Sequence, residues 1–290
     1  MSKFVIVTDS CADLTAELVA QLDIKVIPLT YLIDEKEYCD DPMNPDMNAQ
    51  EFYGLLRGGK TATTAAVNVG TYTEVLEPLL AEGNDVLVLA FSSGLSTTYN
   101  SGVIAAEELR EKYPQRKLYV VDTLCASLGE GLLVAHAAHK RAEGMDIDAV
   151  RDWVEANKLN LCHQFTVNDL FFLKRGGRVS AATAMLGTML AIKPVMHVDN
   201  EGHLIKVGTA RGRAASIKAL ADRMAETAID PADQIVYICH GDCIDDANKL
   251  AGMVRERFGV KDVMIGYTGP VIGAHSGPGT LALFWLGTQR

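Results

Sequence analysis

The stretch FSSGLSTTYNSG, residues 91 to 102, places six Ser or Thr hydroxyls and two glycines between the apolar run VLVLA and the helical pattern VIAAEELREKY. Hydroxyls at a strand-to-helix turn suit three chemistries: cradling a phosphate, attacking a carbonyl, or holding another anion. Ser93, Ser96 or Thr97 can cap the helix while free N–H groups point outward at a ligand. Ligands of open parallel sheets bind beyond the carboxyl ends of strands, where this loop would lie. The excess of hydroxyls favours an anion site over a plain helix cap.

Two enzyme readings compete with it. GLLRGGKT, Gly54 to Thr61, satisfies the phosphate-binding pattern G-x-x-x-x-G-K-[ST], which works only when a buried strand precedes the loop and a helix follows. Here the preceding NAQEFY has a helical pattern that would end at Gly58 and Gly59. A P-loop phosphotransferase therefore stays an alternative. Ser93 at a strand-to-helix turn also suggests a hydrolase elbow, but the surrounding S-S-G-L-S lacks G-x-S-x-G. A serine hydrolase is the other enzymatic alternative.

Further polar groups are scattered along the chain. VTDSCADLT, Val7 to Thr15, ends a strand with Asp9 and Ser10, which suit a helix cap better than a metal. His136 and His139 lie three apart on a helical pattern without a third ligand, and CHGDC, Cys239 to Cys243, mixes soft and hard donors. KRGGRVS, Lys174 to Ser180, gathers three cations around two glycines in an otherwise acidic chain. It suits an acidic partner or a phosphate, or a solvated turn. GAHSGPGT puts His275 in a segment too glycine-rich to be chosen for packing, which points the imidazole at a ligand.

These groups need a scaffold, and the apolar pattern supplies one. Through the first half, β-rich runs (FVIVTD, IKVIPLTYLI, DVLVLAF, KLYVVD) alternate with amphipathic helical patterns. That predicts a mostly parallel sheet covered on both faces. DEKEYCDDPMNPD and the Thr-rich stretch before TYTEVLEPLLA read as loops. After about residue 160 the pattern changes, and KPVMHVDNEGHLIKVGTA reads as two strands around the turn DNEG. The expectation is an α/β fold of two domains: an α/β/α parallel-sheet domain over 1–160, and an α+β mixed-sheet domain over 161–290.

Composition excludes other classes. A 48% hydrophobic share against 22% charged residues indicates a folded chain rather than a disordered one. The net charge of -10 argues against nucleic acid or an anionic membrane as the main partner. MSKFVIVTDS enters a strand without the pattern of a signal peptide, and no apolar run reaches membrane-spanning length, so a cytoplasmic location is expected. Six cysteines without a C-x-x-C pair fit reduced thiols.

VTDSCADLT, FSSGLSTTYNS, VVDTLCASLGEGLLV, LKRGGRVS, IKPVMHVDNEGHL and GPVIGAHSGPGT, in this order over nearly the whole chain, together resemble the bacterial DegV family. The resemblance implies a long-chain fatty acid enclosed between two α/β-type domains, with no other cofactor or metal. It also implies a protein that performs no catalysis itself. Such a protein presents the fatty acid carboxylate to a separate ATP-binding fatty acid kinase subunit, which makes acyl phosphate for phospholipid synthesis, with at most transient membrane contact. Carried over by position, Ser93 and Gly94 fall on the family's S-S-G-L-S loop and Thr64 on its Thr-Ser-Gln-Pro loop. His275 falls on the histidine of the glycine-rich segment, and Arg175 on the R-G-G-R stretch linked to kinase engagement. This chain departs from the family at Thr64-Ala65-Ala66-Val67, where the register leaves Thr63 or Thr64, and at S-G-L-S-T-T, where Thr97 replaces Gly. AMLGTMLAI and LALFWLG offer apolar side chains for an acyl tunnel, the methionines adapting to varied chain shapes.

Overall fold

The computed structural model describes residues 4–168, 170–180 and 191–290. FVIVTD forms β1 (Phe4–Asp9), flanked by β2 (Ile24–Ile27) and β6 (Asp85–Ala90), with β7 (Leu118–Asp122) beyond β6. All three pairings of this four-stranded sheet, β2-β1-β6-β7, are parallel. Successive residues of a strand point to opposite faces, and both faces are apolar here. Ile6, Leu87, Leu89 and Val121 join one core cluster with α5 (Leu128–Ala142) and α6 (Ile147–Asn157). Val7, Val86, Val88 and Ala90 join another with α3 (Val69–Ala81) and α4 (Thr98–Lys112). The doubly covered parallel sheet is thus present as expected.

A second sheet has six strands in the order β10-β9-β8-β13-β11-β12, all drawn from residues beyond 160. They are β8 (Leu161–Thr166), β9 (Ile192–Val198), β10 (Leu204–Arg211), β11 (Ile235–His240), β12 (Asp262–Tyr267) and β13 (Leu281–Leu286). Only β11 and β12 pair in parallel, so the sheet is mixed. DNEG does form the turn between β9 and β10, and Gly202 N–H donates to Asp199 O. One face packs on α8 (Arg213–Thr227) and α9 (Ile244–Phe258) through Val236, Ile238, Leu283 and Trp285. The other face, with Phe165, Tyr237, Cys239, Ala282 and Phe284, shares a core cluster with the parallel sheet. Between the sheets runs α5, whose buried residues spread around its whole circumference, as a helix enclosed on all sides requires.

Two segments read from sequence as loops are strands. The acidic stretch contains β4 (Lys36–Asp40) and the Thr-rich stretch contains β5 (Ala62–Ala65); both pair antiparallel with β3 (Leu29–Ile33). β4 carries charged and half-exposed residues, so it has no apolar alternation to betray it. Tertiary pairing decides its form: Tyr38 lies opposite Tyr31 and stacks on it at 5.3 Å. α2 (Ala49–Arg57) precedes β5, α7 (Phe171–Arg175) follows β8, and α10 (Pro270–Ser276) follows β12. Among the described residues, no helix is long and apolar enough to cross a membrane.

Candidate functional site

A cavity of about 510 Å³ opens between the parallel-sheet half and the mixed sheet. Apolar walls come from both sides: Leu29, Phe91 and Leu95 from one, Phe165, Ala282 and Phe284 from the other. Hydroxyls of Thr64, Ser93, Ser96, Thr97, Ser276 and Thr280 also line it. Ser276 Oγ is buried without a hydrogen-bond partner among the described residues, so the lining keeps polar capacity to offer.

Most N–H groups of the Ser92–Thr98 loop are already spent on the protein. Asp122 Oδ1 accepts Ser93 N–H at 3.1 Å, and Ser92 Oγ accepts Gly94 N–H at 3.2 Å. Leu95 and Ser96 N–H both donate to Ser92 O, and Ser96 Oγ accepts Thr98 N–H. This corrects the expectation of free N–H groups pointing at an anion: the loop is a compact turn whose backbone donors close it on itself. Side-chain hydroxyls remain, and Ser93 Oγ, exposed at the cavity, has no partner among the described residues. Thr97 occupies the N-cap position of α4 without a side-chain cap bond.

Thr64 and His275 meet across the fold, Thr64 Oγ1 lying 2.8 Å from His275 Nε2. β3 holds Thr64 in register by pairing it with Tyr31, whereas Thr63, opposite Leu32, is exposed and outside the lining. α10 supplies His275 from its last turn. Burial, with Arg178 and then Arg175 adding positive charge, pushes the imidazole down to about 4. The ring is therefore neutral near pH 7, and its Nδ1 is buried without a partner among the described residues. Gly176 covers it so closely that a Cβ there would stand 2.1 Å from Nδ1.

Arg178 was not singled out within KRGGRVS, yet it lines the cavity and donates from Nε to Leu95 O at 3.2 Å. Arg175 lies outside the lining, exposed at the end of α7, with its guanidinium 4.7 Å from the Phe172 ring centroid and 5.5 Å from that of Phe171. Three residues across a glycine turn send one cation inward and leave the other outside. The structure thus gathers Thr64, Ser93 and His275 around one cavity. Gly94 supports the loop from behind, against Glu201 and Gly202.

Other polar groups near the cavity serve the fold. His163, in the wall, has Nδ1 3.0 Å from Leu161 O and Nε2 accepting Ala126 N–H at 3.2 Å. That pattern defines the neutral Nδ1–H tautomer. Asp9 accepts N–H groups from Cys11 and Phe91, which makes it a turn anchor, and burial raises it to about 6. Cys239, of CHGDC, is buried and accepts hydrogen bonds from Ser127 and Thr268. His136 lies 5.6 Å from Trp153, ring to ring. Among the described residues, no three His, Cys, Asp or Glu side chains are grouped to hold a metal.

Neither enzymatic alternative has its required setting. GLLRGGKT spans the end of α2, caps it at Gly58, and runs into β5, a helix–turn–strand order opposite to that of a P-loop. Among the described residues no histidine is hydrogen-bonded to Ser93: of the cavity histidines, His163 is bonded to backbone and His275 to Thr64. Of the two apolar segments expected to wall an acyl chain, LALFWLG contributes Ala282 and Phe284 to the lining. Most of AMLGTMLAI, residues 184–190, lies outside the described residues.

The family model described as "Uncharacterised protein, DegV family" matches residues 3–288. A DegV domain-containing protein of Clostridium perfringens is 46% identical over 290 residues, covering 100% of this chain and 99% of its own. A DegV lipid binding protein from Thermotoga maritima superposes with a TM-score of 0.87 at 29% identity, over 99% of both chains. The structure reporting fatty acid binding of a DegV family protein from Thermus thermophilus gives 0.86 at 31% identity, over 97% of this chain and 98% of that one. Matched from end to end in sequence and in fold, this chain belongs to the DegV family.

Proposed function

We propose that this protein binds a long-chain fatty acid in the cavity between its two sheets and presents the carboxylate to a separate ATP-dependent kinase subunit. The observation that carries the reading is the cavity itself. At about 510 Å³ it falls within the range of small-ligand sites, roughly 300–1,000 Å³, and it combines apolar walls with unspent hydroxyls. Related proteins of the same fold bind lipid in Thermotoga maritima and fatty acid in Thermus thermophilus.

The energetics favour such a ligand. Burial contributes about 0.8 kcal/mol per CH₂, so a 16-carbon chain gains on the order of 10 kcal/mol before the costs of association. A carboxylate buried without partners would cancel that gain, so the head group needs donors. Thr64 and Ser93 supply hydroxyl donors. The Nε2–H tautomer of neutral His275 donates to Thr64 Oγ1 and so leaves the Thr64 hydroxyl proton for the carboxylate, while Arg178 brings positive charge to the lining. In the partner-catalysed step, a carboxylate oxygen forms a bond to the γ-phosphorus of ATP as the β–γ oxygen–phosphorus bond breaks. Acyl phosphate and ADP result, and this chain contributes binding and orientation only. Arg175, outside the cavity and braced by two phenyl rings, is the residue offered to the kinase or to the transferred phosphate. The two domains, 1–160 and 161–290, then act as head-group holder and chain cover in the cytoplasm.

Organic extraction of the purified protein followed by mass spectrometry tests the reading. A long-chain fatty acid is expected in stoichiometric amount. Absence of any fatty acid, together with no uptake of added palmitate or oleate, overturns it. Acyl phosphate formation in the presence of the kinase subunit and ATP, and none with either omitted, tests the second half.

A further inference from the structure

The loop carrying Ser93 is held from two directions by groups outside the cavity. Within its own half, Asp122 Oδ1 accepts the N–H groups of Ser93 and Leu124, both at 3.1 Å. Leu124 has a φ of 53°, an unfavourable conformation for a side chain of its bulk, which persists only where the surroundings over-determine it. The second hold comes from the turn between β9 and β10. Ser92, fully buried, donates its hydroxyl to Gly202 O at 2.9 Å while its Oγ accepts Gly94 N–H. A Cβ on Gly94 would stand 2.7 Å from Glu201 O, and one on Gly202 would stand 2.1 Å from Ser92 Oγ.

That turn is itself fixed. Asp199 Oδ1 accepts the N–H groups of Glu201 and His203, and Arg290 donates to Asp199 O at 2.7 Å and to Lys158 O at 2.7 Å. The head-group loop therefore takes its position partly from residues more than a hundred places away in the chain. Resting on the fatty-acid reading above, we propose that Ser92 and Asp122 are positioning residues for Ser93. Residues 199–203 then belong to the head-group site, although none of them lines the cavity. The physical reason is directional: Asp122 turns the Ser93 N–H away from the ligand, which leaves the hydroxyl as the donor. A hydrogen bond to a charged acceptor weakens steeply when its angle or length drifts.

The test compares palmitate with hexadecan-1-ol, a probe of the same chain without the charge, on four proteins: wild type, Ser93→Ala, Ser92→Ala and the double variant. Ser92→Ala is expected to lower palmitate affinity about tenfold and to leave the alcohol within about twofold, and it should add nothing to Ser93→Ala in the double variant. A merely structural Ser92 would weaken both ligands alike. That outcome, additive losses in the double variant, or unchanged palmitate binding overturns the proposal. Because Ser92 is buried, Asp122 gives a second route. Asp122→Asn keeps an acceptor oxygen and should hold palmitate affinity within about threefold, whereas Asp122→Ala should lose about tenfold; equal affinities in these two overturn the proposal. Failure of the wild type to take up palmitate would sink the fatty-acid reading itself, whereas normal wild-type uptake with additive variants sinks the positioning role alone.

Discussion

Thr64 Oγ1 and His275 Nε2 stand 2.8 Å apart although 211 positions separate them in the chain. The bond joins the edge strand of the small antiparallel sheet to the last turn of α10, which connects β12 and β13 of the mixed sheet, and it places a neutral imidazole behind a cavity hydroxyl. Replacing Thr64 by Val removes the hydroxyl with little change of shape and leaves His275 Nε2 unpaired. A stability loss of about 1–3 kcal/mol is expected by denaturant titration, together with about tenfold weaker palmitate binding. A full-affinity Thr64→Val protein would remove Thr64 from the head-group site.

Ser93 is predicted to behave in the opposite way with respect to stability. Its hydroxyl is exposed and has no partner among the described residues, so Ser93→Ala should change stability by no more than about 0.5 kcal/mol. Palmitate affinity should fall about tenfold to a hundredfold, the range for a hydrogen bond to a charged group. Isothermal titration of both proteins with palmitate measures it.

Gly176 leaves no room beside His275. In Gly176→Ala the new Cβ would start 2.1 Å from Nδ1, so the imidazole must move and the bond to Thr64 must lengthen. We expect a stability loss of about 1–3 kcal/mol, as for other overpacked sites, and weakened fatty acid binding. A crystal structure of the variant with the Thr64–His275 distance unchanged would contradict this.

Arg175 and Arg178 separate two roles within one short segment. Arg175→Ala should keep its lipid and transfer the carboxylate poorly to a competent kinase. Arg178→Ala should lose palmitate affinity, because the guanidinium lines the cavity and bonds Leu95 O. Lipid loss in Arg175→Ala with normal kinase docking would reverse the assignment.

Two titratable groups, Glu130 and His275, set opposite trends in stability with pH. Glu130 is fully buried, and burial, with the nearby Asp9 charge, raises its carboxyl well above the ordinary range. Its contribution is complete below the usual carboxyl value and is lost as pH rises through the raised one. His275, depressed to about 4, has the reverse sign: its contribution is complete above the ordinary imidazole value near 6.5 and is lost as pH falls towards 4. Glu130→Gln should therefore flatten the fall of the melting temperature as pH rises above the ordinary carboxyl range and leave the acid side in place. An unchanged alkaline slope would assign that slope to other groups, such as Asp9 and Asp40, which burial raises to about 6 and about 7.

Much of the scaffold was legible because hydrophobic period alone specifies it. FVIVTD and DVLVLA are apolar on both faces, which only a sheet covered twice can bury, and the hydroxyl-rich loop had to follow such a strand. β4 and β5 were not legible, since charged and Thr-rich strands show no alternation and take their form from pairing with β3. Residue types nominated Ser93 and His275, and the family resemblance nominated Thr64, but no spacing rule relates positions 64 and 275. Only the docking of α10 against β5 brings them together. The same holds for donors: a strand-to-helix turn promises free N–H groups, yet Asp122 and Ser92 consume those of Ser93 and Gly94. Sequence determined which groups were available for an anion. Tertiary structure decided which stayed unpaired, because a hydrogen-bond partner is chosen by proximity in space and not by order along the chain.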